Sequence, residues 1–365
     1  VKRRVLLASL ASGAFFPFGG GCGTSELPDK RRELLNSWGQ ALLLASYAEF
    51  EQRCGELEAR TAELAENPDE ETVAAAQTAW WAARAPVKRA EVFAFGPYTE
   101  EPERIGPKID FWPARPDTVE AVLADDAPLD SETLEDLGAP AKGLPALEYL
   151  LYPPGGDAAL AFQNPRRGEY AHAIALDLIA RSRELFEAWD PGHHGFLIEL
   201  VDAGRSSRHF SSLNAALGEI VNRIGFTLEN ARLEKLARAL GDTSEGSPQP
   251  DQLESTFSGR SIDDLRDNLR GIELLYTGDA AVGLLGLDGY LNDRGKRLGR
   301  PFSELFSACS AAFDAVPGPL TEAIGSDPQS VRTLMDSLHA LQRFFQVDVL
   351  NALSLTLAFN DNDGD

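Results

Sequence analysis

Basic residues are scarce in this chain: 34 Lys and Arg stand against 57 Asp and Glu, a formal charge of −23 over 365 residues. A surface that acidic repels polyphosphate backbones, which sets nucleic acid aside as a partner. Histidine is sparse too, with five, and cysteine with three. Cys54 and Cys309 are the two cysteines in the body of the chain, too few for a thiol quartet around a metal. In an oxidising compartment they either bridge or stay as two buried thiols; their spacing does not decide. The alternation of apolar and polar residues that marks strands is nearly missing. There is no H-E-x-x-H, C-x-x-C or G-x-S-x-G and no P-loop lysine motif, which removes the commonest sequence signs of hydrolase, redox and nucleotide chemistry.

No apolar run reaches the roughly 20 residues of a membrane helix. Residues 5–18 are the apolar run nearest the beginning, and Lys2, Arg3 and Arg4 precede them, the outline of a secretory signal peptide. The run leads into Gly19-Gly20-Gly21-Cys22-Gly23. Small residues directly before a cysteine form a bacterial lipoprotein cleavage box, with Gly19 where such boxes usually carry an aliphatic side chain. The expectation is a signal peptide over 1–21, lipidation at Cys22 and a tether over 22–31. That implies export and a lipid anchor in the membrane. Gly23 in place of Asp points to the outer membrane, with soluble periplasmic export as the alternative.

What is abundant is helical periodicity. Leu35, Trp38, Leu42 and Ala45, then Phe50, Cys54, Leu57 and Leu64, recur within each set at spacings of three, four or their sum. After Asn67-Pro68-Asp69 a second stripe holds Val73, Gln77, Trp80, Arg84, Lys88 and Glu91, with Pro68 expected near the first helical position and a bend at Pro86. Residues 93–140 are rich in Pro and Gly, with a short helix near 118–123, and irregular segments of that kind often carry function. Further helices are expected near 143–151, 167–189, 196–201, 210–239, 262–276, 286–298, 301–316 and 328–357. The class is all-α: two antiparallel helical bundles, 32–192 and 193–365, with a site near their junction.

Glu148 stands out within Gly143-Leu144-Pro145-Ala146-Leu147-Glu148-Tyr149-Leu150-Leu151. A carboxylate in so apolar a run needs a partner, because burying it bare costs several kcal/mol. A structural ion pair with Arg84 competes with a site role. Asp110 and Trp112 read either as an acid against an aromatic wall or as a capped turn plugged by the indole. Ser255, Ser258, Arg260 and Ser261 form a hydroxyl-rich turn before a helix, fit for an anion or simply for capping, with Asp264 closing a capping box. His193 and His194 sit between glycines in an expected inter-bundle turn. Asp361-Asn362-Asp363-Gly364-Asp365 has the look of a calcium loop without its closing Glu, so a solvated tail is expected.

Taken together, several segments in order resemble the imelysin family, also classed as M75 peptidases. They are Trp80, Arg84, Glu91 and Phe95-Gly96-Pro97; Ile109-Asp110-Phe111-Trp112-Pro113; Lys142 to Glu148; Glu254 to Ser261; and Asn268 to Gly271. The resemblance covers nearly the whole mature chain. It implies duplicated four-helix bundles, export, and a part in iron uptake. The family motif is G-x-H-x-x-E, whose His and Glu are proposed to hold a metal; here Pro145 stands in the His position. Proline offers no ring nitrogen, and a metallopeptidase generally needs about three protein ligands. The expectation is a binding or accessory protein of iron homeostasis with envelope iron-uptake partners, not a peptidase. By carry-over the ligand site uses Arg84, Glu91, Asp110, Trp112, Glu148, Ser255 and Arg260. Glu91, Asp110 and Glu148 suit iron or another divalent or trivalent ion, and the arginines suit an iron chelate. The enzymatic alternative needs His172 or His209 beside Glu148. A purely structural protein, the third alternative, needs the junction charges fully paired.

Overall fold

The computed structural model describes residues 29–244 and 246–358, so Cys22, the leader and the acidic tail lie outside the described residues. It is all-α, with no strand among the described residues beyond one isolated bridge between Asp279 and Leu284. The helices that build the bundles and the site are numbered here; shorter ones are given by residue.

Helix α1 (Lys30–Trp38) runs through a π-turn (Gly39–Leu44) into α2 (Ala45–Glu66). Helix α3 (Glu70–Arg89) starts on a capping box in which Asp69 and Thr72 exchange hydrogen bonds. Asp69 is therefore the cap and Pro68 lies outside the helix, not at its first position. Acids fill the first turn and Lys88 and Arg89 the last, complementing the helix dipole. The helix continues through Pro86 to Arg89. Helices α4 (Gly143–Leu151) and α5 (Pro165–Trp189) complete the first bundle, in which α2 packs on both α3 and α5. The second bundle holds α6 (Leu213–Asn230), α7 (Ser261–Thr277), α8 (Gly299–Ala315) and α9 (Pro328–Arg343). Between α6 and α7 the chain passes a π-turn, Ala231–Ala237. Cys54 and Cys309 are free, buried thiols, so the bridge is not made.

One apolar core runs through both bundles. The first helix shows why: Trp38 donates from Nε1 to the carbonyl of Leu285 at 2.9 Å, and α1 packs on α6 as well as on Leu197–Val201. Two glycines permit close backbone approach, one within the first bundle and one between the bundles. A Cβ on Gly143, whose φ is +77°, would lie 2.5 Å from the carbonyl oxygen of Ile109. A Cβ on Gly271 in α7 would lie 2.0 Å from the carbonyl oxygen of Arg89 at the end of α3. On a free helix Gly→Ala stabilises by about 1 kcal/mol. Here the clash is with backbone that cannot swing away, so Gly271→Ala should instead destabilise by about 1–3 kcal/mol. Urea unfolding of the variant checks the sign; a gain in stability would mean that α3 and α7 are not in contact at this point.

Candidate functional site

The α3–α7 crossing brings buried charge from both bundles into one cluster. From the first bundle come Arg84 and Lys88 on α3, Glu91 just beyond it, and Asp110 from the irregular segment. From the second come Lys235, Glu254, Arg260, Asp264, Asp267 and Asn268. Arg84 is 1% exposed. It donates from Nη1 to Asp110 Oδ1 at 2.8 Å and from Nε to Asp264 Oδ2 at 2.8 Å, and its Nη2 stands 3.2 Å from Glu254 Oε1. Lys88 Nζ reaches Asp110 Oδ2 at 2.7 Å and Glu91 Oε2 at 2.8 Å, and also holds Glu254. Lys235 closes the ring from the other bundle, 2.6 Å from Glu91 Oε1 and 3.0 Å from Glu254 Oε2, and it donates to Asn268 Oδ1 at 3.0 Å. Asn268 Nδ2 donates to the Lys88 carbonyl at 2.8 Å and to Glu91 Oε2 at 3.1 Å. Arg260 holds Asp264 and, at 2.6 Å, Asp267.

Four cations thus face five acids in a largely buried space, and the electrostatics follow from that pairing. Burial alone would pull Arg84 and Lys88 towards neutrality, but Asp110, Glu254 and their neighbours outweigh it and raise both well above their ordinary values. Burial pushes Glu91 up, yet Lys235 and Lys88 more than cancel it and bring it down to about 2. Asp110 is likewise pushed up by burial and held well below the usual carboxylate range by Arg84 and Lys88.

Glu148 is different. All nine residues of α4 are buried. The helix end is satisfied by Arg167, which donates to the carbonyls of Leu150 and Tyr149 at 2.9 Å each, and by Gln77, which donates to Leu151 at 2.8 Å. Pro145 sits in the first turn, where a missing N–H leaves no helical bond unmade. The Glu148–Arg84 ion pair, the alternative to a site role, is not formed. Glu148 Oε1 instead accepts from the N–H and the hydroxyl of Ser258, both at 2.8 Å, across the junction. Burial raises its pKa to about 7, against the pull of the Ser258 N–H and the more distant Arg84 charge.

Several expectations need correction here. Glu91, Asp110 and Glu148 do not act as a ligand trio: lysines and an arginine take the oxygens of the first two, and Ser258 holds the third. Among the described residues no three His, Cys, Asp or Glu side chains gather as a metal-binding group. With those oxygens already taken by lysine, arginine and serine, the junction does not fit a metal ion. The Ser255–Ser261 turn does not present a free anion site either, because Ser255 donates to Asp264 and Arg260 is engaged by two aspartates. Asp264 is fully buried against the arginines and closes no capping box. Trp112 is part-buried, and its Nε1 has no hydrogen-bond partner. His172 pairs with Glu58 at 2.9 Å, and His209 packs on Phe196 beside Glu100, so Glu148 takes its hydrogen bonds from serine.

The residues that sequence reasoning left out of the site are Lys88, Lys235, Glu254, Ser258, Asp264, Asp267 and Asn268. Lys88 was legible in principle, one turn beyond Arg84 on the same buried stripe. Lys235 was not: it lies on the π-turn, whose wider winding breaks the 3.6-residue register that periodicity reads.

The helical-bundle fold that carries this network is the one to which the comparisons point. The chain belongs to the imelysin family, whose Peptidase_M75 model matches residues 43–344. A relative, iron-regulated protein A of Synechococcus elongatus, is 26% identical over 299 residues, covering 80% of this chain and 78% of that one. Two crystal structures share the fold. An imelysin-like protein from Psychrobacter arcticum has a TM-score of 0.71 at 17% identity, covering 90% of this chain and 97% of its own. An iron-regulated protein A precursor from Parabacteroides distasonis has a TM-score of 0.70 at 16% identity, covering 91% and 96%.

Proposed function

We propose that this protein serves bacterial iron homeostasis as a binding or accessory protein of the cell envelope, without peptidase activity. The observation that carries the second half is the environment of Glu148. Its carboxyl group is held by Ser258, proline stands where the family motif has histidine, and His172 and His209, the two candidates to replace it, lie against Glu58 and Phe196. A water-activating metal needs an imidazole or carboxylate set with an open position, and the junction offers carboxylates already neutralised by lysine and arginine. The iron connection rests on the relative named for iron regulation. Export with lipidation at Cys22, outer-membrane anchoring and iron-uptake partners belong to the same proposal; no helix among the described residues is long and apolar enough to cross a membrane.

In this reading the junction is a joint. Its ion pairs fix the two bundles against each other, and recognition falls to other surfaces. Chain 23–365, assayed on unfolded protein substrates with zinc or ferrous iron added, should release no peptides above the metal-only background. Hydrolysis that disappears in Glu148→Ala would overturn the non-enzymatic reading. A strain lacking the protein should grow more slowly than its parent only when iron is withheld; equal growth would remove the iron role.

A further inference from the structure

The acidic groups at the junction are spoken for, but a second set of metal donors lies in the open. A cleft of about 440 Å³ separates the residues just after Gly96 from the turn that follows α5. Of the five histidines in the chain, three line it, His193, His194 and His209, together with Glu100, Glu101 and Glu187. That concentration is unlike the rest of the molecule, where His172 stands apart on α5.

We propose that this cleft takes up a first-row divalent transition-metal ion through the imidazoles of His193, His194 and His209 and the carboxylate of Glu100. The inference rests on the iron-homeostasis reading and moves its ligand away from the family-motif position. Imidazole with carboxylate is the donor set that ferrous iron, zinc and their neighbours favour over magnesium or calcium. His193 is prepared for the task. Its Nδ1 faces Asp190 Oδ2 at 2.9 Å, which keeps the proton on Nδ1 and leaves the Nε2 lone pair for a cation, the arrangement of carboxylate-oriented metal ligands. Glu100 is tied at one oxygen only, where it accepts from the Gly96 N–H at 2.9 Å; the other stands 3.6 Å from His209 Nε2.

The backbone that carries these groups is fixed. The N–H groups of His193 and Gly195 both donate to the Asp190 carbonyl, at 2.9 and 2.8 Å, and His209 is held through its own N–H, 3.1 Å from Glu199 Oε2. The side chains are open to solvent: His193, His209 and Glu100 are 54%, 41% and 45% exposed. His193 stays oriented by Asp190, and Glu100 and His209, the latter resting on Phe196 and Phe210, turn towards it without disturbing the core. As they stand no three donors are within coordinating reach of one point, and binding needs that turn. The surrounding glutamates supply an attractive field for any cation, while the imidazoles discriminate in favour of the transition series.

The test is a calorimetric titration of chain 23–365 with ferrous iron under anaerobic conditions, with zinc and magnesium as comparison ions. Wild type should bind one ferrous or zinc ion per chain. The double variant His193→Ala/His209→Ala should bind at least about tenfold more weakly, and Asp190→Asn, which only misorients His193, about tenfold more weakly. Glu148→Gln should bind like wild type. The histidines are exposed, so circular dichroism should show every cleft variant folded. Absence of binding, equal binding by the double variant, or equal affinity for magnesium would each overturn the proposal. The starved-growth assay is read separately: loss of ion binding with that phenotype intact removes the cleft and leaves the iron role standing.

Discussion

Replacing Arg84 by alanine should destabilise the protein by about 3–5 kcal/mol, the cost of leaving buried charge without its partner. The guanidinium contacts Asp110, Asp264 and Glu254 at 2.8, 2.8 and 3.2 Å, and all four side chains are at most 5% exposed. Removing it strips a neutralising charge from three carboxylates at once, and water cannot enter freely to replace it. An exposed pair makes the contrast. Arg300 and Glu304 are 2.8 Å apart with side chains 88% and 64% exposed, and Arg300→Ala should change stability by less than about 1 kcal/mol. Thermal unfolding of the two variants side by side reads the difference; similar melting temperatures would mean that the junction charges are screened and hold nothing together.

The second expected result concerns pH. Glu148 is protonated more readily in the folded chain than in the unfolded one, its pKa raised by burial from 4.5 to about 7. Between those two values the folded state holds the extra proton. The stabilisation this brings is complete below about 4.5 and is lost as pH rises through 7, by about 3 kcal/mol at most. Glu91 works in the opposite direction. Its pKa is lowered to about 2, so its contribution is present above 4.5 and is lost as pH falls towards 2. The junction is therefore most stable in mildly acid solution. Glu148→Gln keeps an acceptor for Ser258 but cannot ionise. Its stability should exceed that of wild type increasingly from pH 5 to pH 8, measured by urea unfolding. Parallel curves for the two proteins would show that Glu148 ionises as readily folded as unfolded.

The fold was legible because helical periodicity is local. The stripe of Val73, Trp80 and Arg84 does lie buried on α3, and the helices expected near 167–189 and 262–276 are Pro165–Trp189 and Ser261–Thr277. The helix expected over 210–239 is instead α6 followed by a π-turn, a change of winding that leaves no mark in composition. For the site, a buried acid at 148 and a buried arginine at 84 could be read from their apolar neighbours. Which acid met which base could not, because Arg84 and Asp264 are 180 residues apart and their pairing is set by the close crossing at Gly271. Ser258 was missed as the partner of Glu148 for the same reason: its N–H and hydroxyl come from 110 residues further along the chain.

The seating of α1 bears on the order in which the molecule can be assembled. The Trp38 indole waits for a carbonyl 247 positions further along, and Lys30 for Asp293, 263 positions on. A chain emerging residue by residue can seat α1 on Leu197–Val201 and α6, but must reach Leu285 and Asp293 before these last partners arrive. Contacts so distant in sequence slow folding. Until then part of the apolar face of α1 stays uncovered, and a nascent chain presents it to chaperones.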